Sequence, residues 1–227
     1  MNNFKINVIP DIHCKNIWKK FIQETSDLIV FLGDYVDSFT HSNIEMINNL
    51  NDIIQFKLDN KDKVITLLGN HDIAYLRLGE KNFSCSGMRH EISFDVHDIF
   101  QENKSLFQNA FQKGKYIFTH AGIQDYWFTH YFKGDIQSNI ADQLNNPKDR
   151  NQDIALNQVG YRRWGSFPIG GIFWCDKEEL KKPLKGYTQI VGHTHVKKLV
   201  KLHTRHSTVW FCDYLDYMEE PLILNIW

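Results

Sequence analysis

Five short blocks in this chain combine carboxylate, imidazole and amide side chains, which are the groups that bind divalent metal ions. The blocks are Asp11-Ile12-His13, Gly33-Asp34-Tyr35-Val36-Asp37, Gly69-Asn70-His71-Asp72, Thr119-His120-Ala121-Gly122 and Gly192-His193-Thr194-His195. Side chains two residues apart share a face of an extended segment, so Asp11 and His13 can bind one ion, as can His193 and His195. Together the blocks offer enough donors for two adjacent ions.

The mixture of donors indicates which metals and which reaction to expect. Oxygen and imidazole ligands together suit manganese, iron or zinc better than calcium. Asp34 follows a glycine at the predicted end of a strand, where its two oxygens can bridge two ions, and Asn70 can add a neutral amide oxygen. Two ions roughly 3.5 to 4 Å apart would hold a phosphate group and provide a hydroxide nucleophile at neutral pH. The blocks therefore predict hydrolysis of phosphate esters without a covalent enzyme intermediate.

An apolar segment rich in branched residues precedes each block and is predicted to be a buried strand. These segments are residues 6–9, 28–32, 64–68, 116–118 and 189–191. Helical spacing of apolar residues predicts helices over 15–25 and from Asn43 to about Leu58, the second one capped by Ser42-Asn43. Such strand, helix, strand repeats predict an α/β architecture with the first three blocks at one edge of a sheet. Three more strands are predicted near 199–202, 208–212 and 222–226.

Composition narrows the class of protein. At 227 residues and 42% hydrophobic content, the chain is predicted to form one domain over 1-227, with insertions near 73-113 and 125-170 that border the site. A net charge of -1 provides no general attraction to nucleic acid or anionic membranes, although local basic patches keep nucleic acid among the conceivable partners. The four scattered cysteines and an N-terminus without a long apolar segment predict a cytoplasmic protein without a membrane partner.

In this order, the five blocks resemble the calcineurin-like metallophosphoesterase superfamily, over about 185 residues from Asp11 to His195. The resemblance implies a four-layer α/β/β/α sandwich in which helices flank central mixed sheets. It also implies two divalent ions, with manganese expected and iron or zinc as alternatives. The implied ligands are Asp11, His13 and His195 for one ion, Asp34 as the bridge, and Asn70, His120 and His193 for the other.

The resemblance further assigns a proton donor. It implies that His71 is the general acid or leaving-group stabiliser, and that Asp37 orients its ring and stabilises the imidazolium. Asp72, in the same block as His71, is instead predicted to cap a loop, as aspartates often do.

Within the superfamily, three segments are similar to the phosphoprotein phosphatase branch and its bacterial and phage-type relatives. They are Gly33-Asp34-Tyr35-Val36-Asp37, His120-Ala121-Gly122 and Phe173-Trp174-Cys175-Asp176. That branch usually has arginines where Ser38 and Leu68 stand here. Since a guanidinium is the usual bidentate partner of a phosphate, Arg162 and Arg163 are predicted to bind substrate in their place.

The predicted function is hydrolysis of phosphate esters by two metal ions, directed at phosphoproteins or nucleotides. The same site also fits a phosphodiesterase or nuclease, or a dinucleoside polyphosphate hydrolase. A non-catalytic interaction scaffold would show defective ligands, and the sequence shows none. The expected partner is a phosphorylated protein, nucleotide or small molecule, while the sequence carries no information about oligomeric state.

Overall fold

The computed structural model describes residues 4–80 and 83–226. These residues divide into two compact units, of which the first takes the described parts of 1–108 and 215–227 and the second takes 109–214. Each unit contains one five-stranded mixed sheet. The organisation as one domain with two insertions stays a prediction.

The described residues form ten strands and five α-helices. The strands are β1 Phe4–Ile9, β2 Leu28–Phe31, β3 Val64–Leu67, β4 Phe107–Gln108, β5 Ala110–Lys113, β6 Tyr116–Thr119, β7 Thr188–Val191, β8 Val200–His203, β9 Thr208–Phe211 and β10 Leu222–Ile226. The helices are α1 Asn43–Asp59, α2 Asn70–Leu76, α3 Ser93–Glu102, α4 Ile140–Asn145 and α5 Arg150–Leu156. A π-helical turn spans Trp127–Tyr131, and short 3-10 helices span Asn16–Phe21, His90–Ile92, Lys104–Leu106, Tyr161–Arg163, Glu179–Lys181 and Leu215–Tyr217. All eight predicted strands are confirmed, to within one residue at each end or two at the start of β1.

The sheet of the first unit has the strand order β10-β1-β2-β3-β4. Strands β1 to β4 run parallel, with Ile9 beside Phe31 and Phe31 beside Thr66, whereas β10 is antiparallel to β1. Parallel neighbours end at the same edge of a sheet. The blocks that follow β1, β2 and β3 therefore lie at one edge, which confirms the predicted placement.

The sheet of the second unit has the strand order β5-β6-β7-β9-β8. Strands β6 and β7 are parallel neighbours, with Phe118 beside Ile190. The fourth and fifth blocks follow these two strands directly, so they also share an edge. Val191, Val209 and Phe211 are buried in the core of this unit.

The sequence explains where helix α1 begins and which of its residues are buried. The Ser42 hydroxyl accepts a hydrogen bond from the backbone N–H of Glu45, and the Glu45 carboxylate accepts one from the N–H of Ser42 at 2.7 Å. This reciprocal cap satisfies N–H groups that the first turn leaves without a helical partner. The helix then buries Met46, Leu50 and Ile53, which recur at three and four residues. The predicted helix is confirmed and ends one residue later than expected.

The helix predicted over 15–25 is shorter and of another type. Residues Asn16–Phe21 form a 3-10 helix, which ends where Ile22 turns extended. In a 3-10 helix residues three apart share a face, and this brings Trp18 and Phe21 into the core together. The Trp18 indole N–H then donates to the Asn49 side chain of α1 at 2.9 Å. Strand β4 was not expected, because two residues are too few to show a period.

Among the residues that the structure describes, no helix has the length and apolar character needed to cross a bilayer.

Gly33, two residues after the end of β2, shows how tightly the loops at this edge are packed. Its φ is +104°, and a Cβ added there would lie 2.5 Å from the backbone nitrogen of Gly69. We expect Gly33→Ala to lower the free energy of unfolding by about 3 kcal/mol, because strain and backbone collision add. Gly79→Ala is the matched control, since its φ is +87° and no atom lies within 4 Å of the added Cβ. Urea unfolding should show a loss of only about 1 kcal/mol there, and equal losses would contradict the close packing.

Candidate metal centre

The loops after β1 and β2 are joined through the backbone of Asp34. The N–H groups of Ile12 and His13 both donate to the Asp34 carbonyl oxygen, at 3.1 and 2.7 Å. Asp11 and Asp34 are buried, with 1% and 2% of the residue surface exposed. Main-chain hydrogen bonds therefore hold the first two blocks together without help from side chains.

Asp72 holds the second and third blocks together. One of its carboxylate oxygens accepts from the N–H groups of Gly69 and Asp34, at 2.8 and 2.7 Å, and the other accepts from Tyr35 at 2.9 Å. The side chain is fully buried. Three N–H donors satisfy a carboxylate that burial would otherwise make costly. The prediction that Asp72 caps a loop is confirmed, and the capped loops are those that carry Asp34 and Asn70.

Backbone strain is concentrated at the predicted site residues. Seven described non-glycine residues have a positive φ, and four of them are His13, Asp34, Asp37 and His193, at 43°, 52°, 61° and 61°. L-amino acids rarely adopt this conformation, and such residues cluster at functional sites, where surrounding contacts hold them in place.

Three side chains of the first unit converge on a place that fits a metal ion. His13 Nδ1 lies 3.2 and 3.0 Å from the carbonyl oxygens of Val36 and Asp37, so it carries the proton and Nε2 keeps a lone pair. His13 Nε2 is 3.6 Å from Asp34 Oδ2. One ligand atom from each of His13, Asp34 and His71 lies within 4.8 Å of the others. Two donors at about 2.0–2.2 Å from one ion are at most about 4.4 Å apart, so this group is close to the spacing that a shared ion requires.

Asn70 begins helix α2 beside this group. Its amide nitrogen donates to the Cys85 sulfur at 3.3 Å, and the Cys85 thiol donates to the Asn70 backbone oxygen at 3.1 Å. Burial raises the pKa of the Cys85 thiol, so it stays neutral. This pair orients the Asn70 side chain, whose carbonyl oxygen is the atom that a cation would bind.

His71 and Asp37 form a hydrogen-bonded pair. His71 Nδ1 donates to Asp37 Oδ2 at 2.7 Å, and the Tyr75 hydroxyl donates to Asp37 Oδ1 at 2.6 Å. The backbone N–H of His71 donates to Asp34 Oδ1 at 3.0 Å. Burial lowers the pKa of His71, but the charge of Asp34 and the hydrogen bond to Asp37 outweigh burial and raise it overall. The pair therefore favours an imidazolium whose Nε2 can donate a proton.

The second unit brings His120 and His193 together. The N–H of Gly192 donates to the His120 carbonyl oxygen at 2.8 Å, and His120 Nε2 lies 3.2 Å from His193 Nδ1. Two imidazole nitrogens on one tetrahedral ion, each about 2.0–2.1 Å from it, would be about 3.3 Å apart. The observed spacing therefore fits a shared ion.

His195, the other predicted ligand of the second unit, is exposed. Its side chain is 56% exposed, and His195 Nδ1 is 3.8 Å from Asp213 Oδ2. Asp213 had not been singled out, because no motif surrounds it. These two atoms are too far apart for a hydrogen bond between them, so the contact is electrostatic.

The two arginines predicted to bind substrate differ in their surroundings. The Arg163 guanidinium donates to the Thr194 hydroxyl at 2.8 Å, and its Nε is 3.0 Å from Asp176 Oδ2. Arg163 thus connects the fifth block with the Phe-Trp-Cys-Asp segment. Arg162, on the same 3-10 helix, is exposed. Their assignment to substrate stays a prediction.

Two residues of the first unit that sequence reasoning missed support the His71 pair. Tyr75 follows His71 by four residues in α2, a spacing that places both on one helix face. This spacing could have identified Tyr75 from the sequence. Arg89 has no motif around it. Its backbone N–H donates to the Tyr75 hydroxyl at 2.8 Å, and its guanidinium donates to the carbonyl oxygens of Ser38 and His41.

An α/β fold with aspartate and histidine donors at strand ends is typical of a metal-dependent hydrolase. A model of the calcineurin-like phosphoesterase family matches residues 4–197, and this chain belongs to that family. The predicted fold class and the prediction of a phosphoesterase are confirmed. No curated protein matches the sequence.

Solved structures of other phosphoesterases resemble the chain in fold. A cold-active protein-tyrosine phosphatase of a psychrophile, Shewanella SP., has 15% identity and a TM-score of 0.58, covering 98% of this chain and 76% of its own. A protein serine/threonine phosphatase from Saccharomyces cerevisiae has 16% identity and a TM-score of 0.52, covering 92% and 67%. A putative diadenosine tetraphosphatase has 12% identity and a TM-score of 0.50, covering 99% and 94%. At these identities the likeness shows the fold.

The Asp72 contacts lead to a stability prediction. Asp72→Asn keeps the size of the side chain but replaces an accepting oxygen with an NH2 group that faces a backbone N–H. We expect it to lower the free energy of unfolding by about 2–3 kcal/mol, as measured by urea unfolding. Asp62→Asn is the control, because Asp62 is exposed and should change stability by less than about 0.5 kcal/mol. Similar values for both variants would show that the Asp72 contacts do not stabilise these loops.

Proposed function

We propose that this protein hydrolyses phosphate esters with two bound divalent ions and a histidine proton donor. The observation that carries this proposal is the His71 and Asp37 pair, positioned beside the His13 and Asp34 donors in one compact unit. A half-buried imidazole whose charged form is stabilised by two carboxylates is typical of a catalytic site, and a protein that only binds metal does not require one.

We assign the ligands as the resemblance to the superfamily implies. One ion takes Asp11, His13 and His195, the other takes Asn70, His120 and His193, and Asp34 bridges them. The convergence of His13 with Asp34 and the spacing of His120 and His193 support this assignment. When bound, the two ions supply a hydroxide nucleophile and positive charge for the phosphate. Manganese is the proposed metal, with iron and zinc as alternatives, because oxygen and imidazole donors are mixed.

The chain itself positions groups and moves a proton. Asp72 fixes the backbone at Asp34, and the carbonyl oxygens of Val36 and Asp37 set the tautomer of His13. His71 Nε2 then donates a proton to the oxygen of the departing alcohol. Asp37 keeps the ring oriented and stabilises its charged form before that transfer.

The proposed partner is a phosphorylated protein, nucleotide or small molecule. We also propose a cytoplasmic location. All four cysteines are free thiols, and this is the usual state of cysteine in a reducing compartment.

Replacing the proposed bridge tests the metal requirement. We expect Asp34→Asn to lose bound manganese and at least about 100-fold in kcat/KM for an aryl phosphate, because one carboxylate charge is removed from both ions. Metal content by mass spectrometry and manganese-dependent turnover would be measured together. Asp62→Asn should retain both. Undiminished turnover by Asp34→Asn would contradict the proposal. If the wild-type protein hydrolyses a bis-aryl diester faster than the monoester, the activity is that of a phosphodiesterase.

One ligand atom of His71 lies within 4.8 Å of ligand atoms of His13 and Asp34, so His71 could also bind the metal. An experiment must therefore distinguish His71 as a proton donor from His71 as a third ligand. As a proton donor, His71→Asn should lower kcat by about 10²–10⁴ for a poorly acidic alcohol and less for p-nitrophenol, which departs without a proton. Its bound metal should equal that of the wild-type protein. Loss of metal, or an equal loss of rate for both leaving groups, would show that His71 is a ligand instead.

A further inference from the structure

A cavity of about 340 Å³ opens beside the proposed proton donor, and all of its lining residues belong to the first unit. The lining includes His13, Asp37 and His71 from the proposed site, together with Phe39, Thr40 and Gly87. Pockets for small molecules hold about 300–1,000 Å³, so this one is at the small end of that range. It has room for more than a phosphate group, and it adjoins the group that would protonate a leaving oxygen.

Phe39 gives this cavity an aromatic wall. Phe39 is 89% exposed, so most of its surface is accessible to a ligand. The ring lies over Gly87, where an added Cβ would be 3.3 Å from the ring atom Cζ. Gly87 has a φ of +86°, a conformation that glycine adopts without strain. Its lack of a side chain also leaves room for the Phe39 ring.

Arg89 holds the loop that carries Phe39 in place. The Arg89 guanidinium donates to the carbonyl oxygens of Ser38 and His41, and to the Asn43 side chain at 2.6 Å. A planar cation with several donors fixes the backbone on both sides of Phe39. Because Arg89 holds the backbone on both sides of Phe39, the exposed ring has a fixed place beside the cavity.

The cavity also contains a positive group. Lys15 lines it, and the Lys15 ammonium lies 3.0 Å from Asp216 Oδ2 in the same unit. Asp216 neutralises much of this charge, so Lys15 does not by itself select a phosphate monoester over a diester.

We propose that this cavity binds the aromatic ring of an aryl phosphate monoester, with Phe39 as the residue that selects it. This inference rests on the proposed function of the same site. The phosphate of such an ester lies at the proposed metal centre, the ester oxygen faces His71, and the ring packs against Phe39. The substrate class is therefore the phosphorylated phenol, as in a phosphotyrosine side chain, and not an alkyl phosphate or a nucleotide, whose phosphate is joined to a sugar.

Phosphonates test the subsite without the chemistry of a leaving group. Phenylphosphonate and ethylphosphonate would be compared as competitive inhibitors of the manganese-loaded protein hydrolysing p-nitrophenyl phosphate. We expect the wild-type protein to bind phenylphosphonate about 10-fold more tightly, which is the size of a good aromatic contact. Phe39→Ala should reduce this ratio to about twofold, whereas Phe39→Tyr should retain it. Phe94→Ala is the matched control, because Phe94 lies on α3 with 74% of its side chain exposed.

The possible results separate the two proposals. If the wild-type protein shows no metal-dependent hydrolysis, the proposed function fails, and the subsite fails with it. If hydrolysis is present but Phe39→Ala keeps the wild-type ratio, only the subsite is overturned. Tighter binding of a nucleoside 5′-monophosphate than of phenylphosphonate would also overturn it, in favour of a nucleotide. The folded state of Phe39→Ala would be checked by urea unfolding, where an exposed side chain should matter little.

Discussion

The site in the first unit depends on one buried carboxylate that is not itself a proposed ligand. Asp72 accepts hydrogen bonds from the N–H groups of Gly69, Asp34 and Tyr35, and so it joins two loops that follow neighbouring parallel strands. Burial of a charge is favourable only when partners replace the lost water, and three backbone donors do this here. Since the same contacts hold Asp34 in a left-handed conformation, the cost of that conformation is offset by the network that requires it.

A second network sets the chemistry of His71. Asp37 accepts from both the His71 ring and the Tyr75 hydroxyl, so both of its oxygens are engaged and the ring has one preferred orientation. The backbone N–H of His71 meanwhile contacts Asp34. The proposed proton donor and the proposed bridging ligand are thus connected directly, and a shift of either loop would change both. Such coupling favours a single rigid geometry at the reacting group, which is the condition under which a proton donor is most effective.

The proposed reaction and the proposed selectivity depend on different parts of the first unit. The donors lie at strand ends, where the sheet holds them, whereas Phe39 lies on a loop that Arg89 positions through backbone carbonyl groups. Ser38 occupies a place where related phosphatases usually have an arginine. In this chain a guanidinium does reach that segment, but it binds the main chain of Ser38 and His41. Arg89 thereby holds the backbone on both sides of Phe39.

The sequence by itself determined eight of the ten described strands, helix α1 and the set of donor side chains. Apolar periodicity and the position of polar residues after each strand are local properties, and parallel strand order then places three blocks at one edge. Only the tertiary structure decided which groups meet. Local spacing carries no information about the three N–H donors of Asp72, the tie between Arg89 and the Phe39 loop, or the engagement of Arg163 by Thr194 and Asp176. It also did not show that residues 16–21 form a 3-10 helix, because this depends on burying Trp18 and Phe21 together. These contacts join residues far apart in the chain, and their energies depend on burial, which exists only after folding.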